Sequence, residues 1–236
     1  MRLLSNPDFL SLWERGLRLH PLDQSLLALA TAFPETPYEG LADWPLGRRN
    51  QALAELRCAC FGRRLQGWTA CPQCGERLEF EMDGRALAGE DGDEPWRQEP
   101  VVVNGHSYRL PSSRDLARVA VEADAGLAAI RLAEGCRIDA GDSPGWSEEY
   151  LEDLETQLAL ADPMAETRLL LHCPACGNQW DETLNIATFL WAEIEARAKR
   201  LLFETHTLAA AYGWAEKEIL SLSEPRRALY MEMVQR

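Results

Sequence analysis

The sequence predicts an α+β fold, mainly helical, with two short cysteine-bearing hairpins and one additional β-hairpin. Three observations predict it. Cys71-Pro72-Gln73-Cys74-Gly75 and Cys173-Pro174-Ala175-Cys176-Gly177 repeat one turn pattern, each between short stretches with strand character. Val101-Val102-Val103, then Asn104-Gly105, then His106-Ser107-Tyr108 spell a hairpin with a favoured two-residue turn. Elsewhere apolar residues recur at three- and four-residue steps, above all between Ile186 and Tyr212. The 236 residues are somewhat long for one compact domain and short for three. A composition of 46% hydrophobic and 26% charged residues excludes global disorder.

The elements follow in chain order. Asn6 with Pro7 makes a cap and a first-turn proline. Phe9, Leu10, Leu12, Trp13, Leu17 and Leu19 then supply an apolar face. Pro21 opens a second helix through Leu22, Leu26, Leu29 and Ala30, which ends before Pro34. Proline and acid fill a loop from Pro34 to Pro45, and a third helix runs from Gly47 to Phe61 with Leu53 and Leu56 inward. Asp83 to Pro95 is acidic and glycine-rich and is expected to be a mobile loop. Past the 101–108 hairpin, Ser112 with Asp115 has the form of a capping box, followed by helical segments at 113–121 and 122–135. Asp139 to Gly145 is a loop, and Ser147 caps a helix to Leu160. In the long C-terminal helix Ile186, Leu190, Ile194, Leu201, Thr205, Leu208 and Tyr212 form the seam. Gly213 ends it, a short helix passes through Ile219, and Ser223-Glu224-Pro225 opens the last one. Beside the seam His206 reads as a surface or boundary histidine, and Trp191 and Trp214 as packing residues. The expected regions are 1–66 (N-terminal helices), 67–82 with 168–184 (the two cysteine hairpins), 83–167 (an acidic insertion) and 185–236 (C-terminal helices).

Charge narrows the classes of partner. Lys plus Arg is 24 and Asp plus Glu is 38, a formal net charge of −14. The excess is local: residues 76–100 carry nine acids against three bases, and 134–166 carry ten against one. Nonspecific nucleic-acid binding needs a basic track that displaces counterions, and none is visible. A solvated acidic face and a docking surface for a basic partner both fit the pattern. No apolar run approaches the roughly 20 residues that span a bilayer. The first residues place an acid and a proline where a signal peptide has its apolar stretch. A cytosolic protein without a membrane anchor is therefore expected.

Seven cysteines stand at 58, 60, 71, 74, 136, 173 and 176. An odd count in a cytosolic setting argues against a disulfide framework. In each Cys-Pro-x-Cys-Gly turn the two-residue spacing aims both sulfurs at one point. Proline fixes φ early in the turn, and the glycine permits the positive φ that turns the chain back. One such knuckle supplies two ligands, and zinc prefers four in a tetrahedron. Cys71, Cys74, Cys173 and Cys176 are thus expected to bind one zinc ion in a split zinc ribbon, with the helices packed around it. The 98 residues between Cys74 and Cys173 form an insertion, and a long loop adds little closure entropy. Four thiolates close the coordination sphere, whereas catalytic zinc keeps an open position. The ion is expected to be structural, and no catalytic residues are assigned. His172 adjoins Cys173 but, as its neighbour on a strand, faces away. A redox role for the pairs ranks lower, because neither opens a helix in a βαβ unit. Cys58, Cys60 and Cys136 read as small packing residues.

Three further stretches bear on family. They are Pro111-Ser112-Ser113-Arg114-Asp115-Leu116-Ala117, the second knuckle followed by Phe189-Leu190-Trp191-Ala192-Glu193-Ile194, and the run from His206 through Tyr212-Gly213-Trp214 to Leu220, closed by Glu224-Pro225-Arg226-Arg227-Ala228-Leu229-Tyr230. Together they resemble the zinc-ribbon baseplate hub assembly family of contractile-tailed phages and its relatives in contractile injection systems. The resemblance covers most of residues 100–236 and the first knuckle. It implies a non-enzymatic interaction protein that serves as a baseplate component or assembly factor, with protein partners in a baseplate or tail hub. It carries the metal ligands over onto Cys71, Cys74, Cys173 and Cys176. The alternative from the ribbon alone is a nucleic-acid-binding or transcription-associated protein, which the charge disfavours.

Overall fold

The computed structural model describes residues 1–88 and 99–234. The helices α1 (Asn6–Gly16), α2 (Pro21–Ala32), α3 (Tyr38–Ala42) and α4 (Leu46–Phe61) lead into a first hairpin, β1 (Arg64–Ala70) and β2 (Arg77–Asp83). A short α5 (Arg85–Ala88) and a second hairpin, β3 (Val101–Val103) and β4 (His106–Tyr108), precede α6 (Ser113–Val119), α7 (Ala125–Cys136) and α8 (Glu148–Ala161). The third hairpin, β5 (Thr167–His172) and β6 (Gln179–Leu184), runs into α9 (Ile186–Tyr212), α10 (Glu216–Ser221) and α11 (Glu224–Val234). Each hairpin is its own two-stranded antiparallel sheet. The fold is α+β, and the chain divides into two compact units, Met1–Pro34 with Ala187–Arg236 and Glu35–Ile186.

In the first unit, the α9 seam is buried as its spacing predicts. Leu190, Ile194, Leu201 and Leu208 are at most 1% exposed, and Tyr212, at 39%, is the seam position that reaches solvent. On α1 the apolar face is shorter than the sequence suggests. Phe9, Leu10 and Leu12 are buried, but the helix stops at Gly16 and leaves Leu17 and Leu19 exposed. Gly16 is there for contact: a Cβ would sit 2.0 Å from the Trp191 ring. Trp214 packs with Tyr230 on the cluster of Leu208, Ile219 and Met231, so both tryptophans serve packing. His206 is exposed.

Beneath α9 lies a charged pair that the periodicity does not announce. Glu204 accepts from Arg227 Nε, and the two side chains are 7% and 1% exposed. Arg227 Nη1 also donates to the Leu222 carbonyl at 3.0 Å, while Nη2 has no hydrogen-bond partner among the described residues.

The second unit is organised on α4. The residues before this helix offer no Ser, Thr or Asn cap, and the missing group comes from far along the chain. Asp162, at the end of α8, accepts the Gly47 N–H at 2.9 Å. Asn50 Nδ2 donates to the carbonyls of Met164 and Ala165, both at 2.9 Å. Leu46 N donates to the Pro111 carbonyl at 3.0 Å, and Arg49 Nη1 donates to Ser113 Oγ at 3.1 Å. α4 therefore holds the starts of both α6 and the approach to β5. Within the insertion, Asn104 and Gly105 adopt φ of 48° and 84°, the two-residue turn the sequence calls for. Behind this hairpin Val101, Val103, Tyr108, Ala133, Cys136 and Leu154 share one buried cluster. The Tyr108 and Tyr150 hydroxyls meet at 2.9 Å, and Tyr150 donates to the Val103 carbonyl. At the start of α6 the Asp115 carboxylate accepts from the Ser112 N–H at 3.0 Å and from its hydroxyl at 2.6 Å, and Arg109 ties it at 2.6 and 2.8 Å. Burial alone would raise the Asp115 pKa, but Arg109 and Ser112 outweigh it and hold the carboxyl below its ordinary range.

Three expectations change. The 34–45 loop contains the short helix α3, because Pro37 starts it and Leu41 and Ala42 are buried beneath it. The 83–95 stretch begins with the α5 turn, anchored by buried Leu87, while its residues from 89 onward lie outside the described residues. The helices placed at 113–121 and 122–135 are α6 and α7, separated where Asp124 caps α7 through the Leu127 amide. In the cysteine hairpins Leu65 of β1 is fully buried, while every residue of β2, β5 and β6 is half-buried or exposed, in the strict alternation of a strand.

The Glu204–Arg227 pair generates a stability test. Glu204→Leu strands a buried guanidinium and should cost about 3–5 kcal/mol, whereas Glu204→Leu with Arg227→Met should recover most of that loss. Urea denaturation of the two variants measures the difference, and equal losses would show that the pair acts through volume alone.

Candidate metal centre

Both knuckles fold alike. β1 and β2 pair from Arg64↔Asp83 to Ala70↔Arg77, and β5 and β6 from Thr167↔Leu184 to His172↔Gln179. The turns they leave open run from Cys71 to Glu76 and from Cys173 to Asn178. Cys71 N donates to the Glu76 carbonyl at 2.8 Å, and Cys173 N donates to the Asn178 carbonyl at 2.8 Å. Gly75 N returns to the Cys71 carbonyl at 2.9 Å, as Gly177 N does to Cys173 at 3.0 Å. Gly75 and Gly177 share a φ of 76°. The repeated sequence thus builds one turn twice, and the positive φ explains the glycine at both ends.

The two turns meet. The sulfurs of Cys71, Cys74, Cys173 and Cys176 all lie within 4.8 Å of one another. Cys71 Sγ is 3.7 Å from Cys176 Sγ, and Cys74 Sγ is 3.6 Å from Cys173 Sγ. These are not disulfide distances. A tetrahedral metal–thiolate shell with bonds of about 2.3 Å has sulfur–sulfur edges of about 3.8 Å, so the donor set fits a four-coordinate metal ion. Cys71 and Cys173 are buried, and Cys74 and Cys176 face solvent.

Electrostatics inside the cluster point the same way. Burial pushes the Cys71 thiol up, but the backbone amides of Cys74 and Gln73 and the sulfurs of Cys176 and Cys74 bring it down to about 6. The Glu76 amide favours the Cys74 thiolate, yet the neighbouring sulfurs and burial push that thiol up to about 12. Cys71 and Cys74 are thus pushed in opposite directions by their shared neighbours; a divalent ion bound between the sulfurs would stabilise the thiolate form.

Neighbouring groups complete the site. Asn178 Nδ2 points at Cys71 Sγ from 3.9 Å, and Gln73 Oε1 lies 3.9 Å from Cys176 Sγ, so each knuckle places an amide beside the other's sulfur. Thr69 Oγ1 donates to Glu182 Oε2 at 3.1 Å, joining the hairpins across their inner faces, and Trp180 Nε1 donates to the same oxygen at 3.1 Å. Arg77 stacks on the exposed Trp68 ring, 4.6 Å from its centroid. The motif does not reveal these partners, although Asn178 and Glu76 occupy equivalent positions after the two glycines. His172 is exposed beside buried Cys173, as strand alternation requires. The other cysteines lie apart from the cluster. Cys136 is buried in the insertion core, where burial pushes its thiol up to about 12, and burial also raises the half-buried Cys58. No helix of the described residues is long and apolar enough to cross a membrane.

Comparison of the chain with protein-family models, with curated proteins and with solved structures gave no match.

The cluster predicts one metal ion per chain. Elemental analysis of protein purified without added metal should give a ratio near one; a ratio near zero or two breaks the single shared site. Cys173→Ser should lose the ion, lower the melting temperature by about 5–10 °C and speed amide exchange in β1, β2, β5 and β6 before other elements. Wild-type melting with full metal content would remove Cys173 from the ligand set.

Proposed function

We propose that the ion is zinc, that the two hairpins form a split zinc ribbon, and that the protein is a non-enzymatic interaction protein. In this reading it works in the cytoplasm as a component or assembly factor of a contractile-tail baseplate. The four-cysteine cluster is the observation that carries the structural part. Four cysteine sulfurs within 4.8 Å of one another supply the four thiolates that a structural zinc site uses.

The baseplate assignment rests on the resemblance of the Pro111–Ala117, Phe189–Ile194 and His206–Tyr230 stretches to contractile-tail proteins. Two of these stretches belong to α9–α11, which we take as the contact region. Much of this region is core: Ile219, Arg227 and Met231 are buried, so deleting residues 215–236 would remove packing together with any contact. Other side chains are free of that role. Phe203 on α9 is 58% exposed, and Leu229 and Met233 on α11 are 55% and 59% exposed. Large apolar groups held in water on ordered helices are the usual material of a protein interface.

The test is affinity purification from cells that express the surrounding gene cluster, with mass spectrometry of free complexes and of any assembled particle. Baseplate or hub proteins should co-purify with the wild-type chain. Phe203→Arg with Leu229→Arg should reduce their recovery at least fivefold while leaving the melting temperature within about 2 °C, since exposed substitutions change stability little. Recovery of nucleic acid or transcription proteins in their place would favour the alternative, and unchanged recovery would remove α9–α11 as the contact.

A further inference from the structure

The second unit carries an open groove of about 860 Å³ between α7 and α8. Leu132 and Ala133 of α7 face Leu151, Leu154 and Leu158 of α8 across it. Its floor is the buried cluster behind the 101–108 hairpin, which is already packed. At its mouth Ala159 and Leu160 stand in solvent, Leu160 at 72% exposure. The lining from Leu151 to Leu160 spans about 14 Å at 1.5 Å per residue. That length matches one helical face with anchors at i, i+3, i+4 and i+7.

Charge selects the occupant. α8 has five acids, Glu148, Glu149, Glu152, Asp153 and Glu155, and no base. Arg168 of β5 also lines the groove, where it pairs with Glu166 and feels Glu155; the wider 134–166 window still has ten acids against one base. Glu155 lines the groove, and Glu148 and Glu152 fall at helical spacing on the same stripe of α8, which continues into Ala159. A second copy of the chain would bring the same acidic stripe against this one. Nucleic acids and fatty acids would add anionic charge to it. A basic helix with one apolar face meets both features.

We infer that the α7–α8 groove is a docking site for a basic amphipathic helix of a partner protein: its apolar residues fill the groove and its Lys or Arg side chains lie over the acidic stripe of α8. The site stands on the groove and its charge alone, so it holds or fails independently of the metal and of the baseplate reading. Charge of this kind speeds encounter and makes binding salt-dependent.

The experiment uses the full chain and three dye-labelled 18-residue peptides. One is a leucine–lysine helix with an apolar face at i, i+3, i+4 and i+7. The second replaces its lysines by glutamates, and the third keeps its composition but scrambles the order to destroy the face. By fluorescence anisotropy the first should bind at least tenfold more tightly than either control and weaken as salt rises. Ala159→Arg, at an exposed helix position, should weaken it at least tenfold with circular dichroism unchanged. Should Ala159→Arg unfold the chain, Glu152→Lys with Glu155→Lys, both exposed, supplies the same reading. Equal binding of the scrambled peptide, or wild-type affinity in a folded variant, overturns the site. So does a dimer in sedimentation that Ala159→Arg splits, which would put a second copy in the groove.

Discussion

The convergence of four sulfurs on one point constrains the rest of the second unit. Cys71 and Cys74 are separated from Cys173 and Cys176 by most of the unit's chain, yet all four atoms lie within 4.8 Å. A two-stranded hairpin alone is marginal in water, and across both cysteine hairpins Leu65 is the one fully buried strand residue. Along β2, β5 and β6 half-buried and exposed residues alternate, and only β2 pairs this with a strict alternation of apolar and charged side chains. Backbone pairing gives them shape, but their mutual position rests on the sulfur cluster and on the Thr69–Glu182 bond. Everything inserted between them must leave from one knuckle hairpin and return to the other.

The insertion meets this requirement with polar contacts from distant residues rather than with a large core. Asp162 caps α4 across 115 positions of sequence, and Asn50 receives the chain just after it. Such bonds are directional, and an unpaired buried donor or acceptor is costly. They fix one arrangement where apolar packing alone would tolerate several. Glu204 and Arg227 do similar work in the first unit, where the guanidinium bonds both a carboxylate and the Leu222 carbonyl.

The parts legible in the sequence are those with local causes. The knuckles announce themselves because a Cys-Pro-x-Cys-Gly turn requires its residues at adjacent positions. Asn104-Gly105 marks its hairpin for the same reason, and the seam of α9 shows because burial follows the helical period. What was hidden depends on partners far apart in the chain. No pattern near Pro45 names Asp162 as the cap of α4; the local hint is only that a cap is missing. The short helix α3 is obscured by the prolines and acids around it, since five residues carry too little periodicity to register. Leu17 and Leu19 fit the α1 pattern, but the close contact of Gly16 with Trp191 falls where the helix stops, and the two leucines emerge beyond it. In the cluster, the cysteines were legible and their amide neighbours Gln73 and Asn178 were not, because their role depends on how the two turns face each other.

The cluster and the groove share a support. α4 runs directly toward β1 and the first knuckle, and it also holds Asp162, Met164 and Ala165 on the path from α8 to β5 and the second knuckle. Asp162 and Ala165 line the groove as well. One short segment therefore forms the groove's edge and leads into the metal hairpin. A change that loosens the second knuckle acts on β5 and, through five residues, on that edge. Interfaces need their surfaces preorganised, because ordering them on binding subtracts from affinity. The α4 contacts hold this segment from one side, and the pairing of β5 with β6 fixes where it ends, so the groove's edge is set by hydrogen bonds already present in the chain.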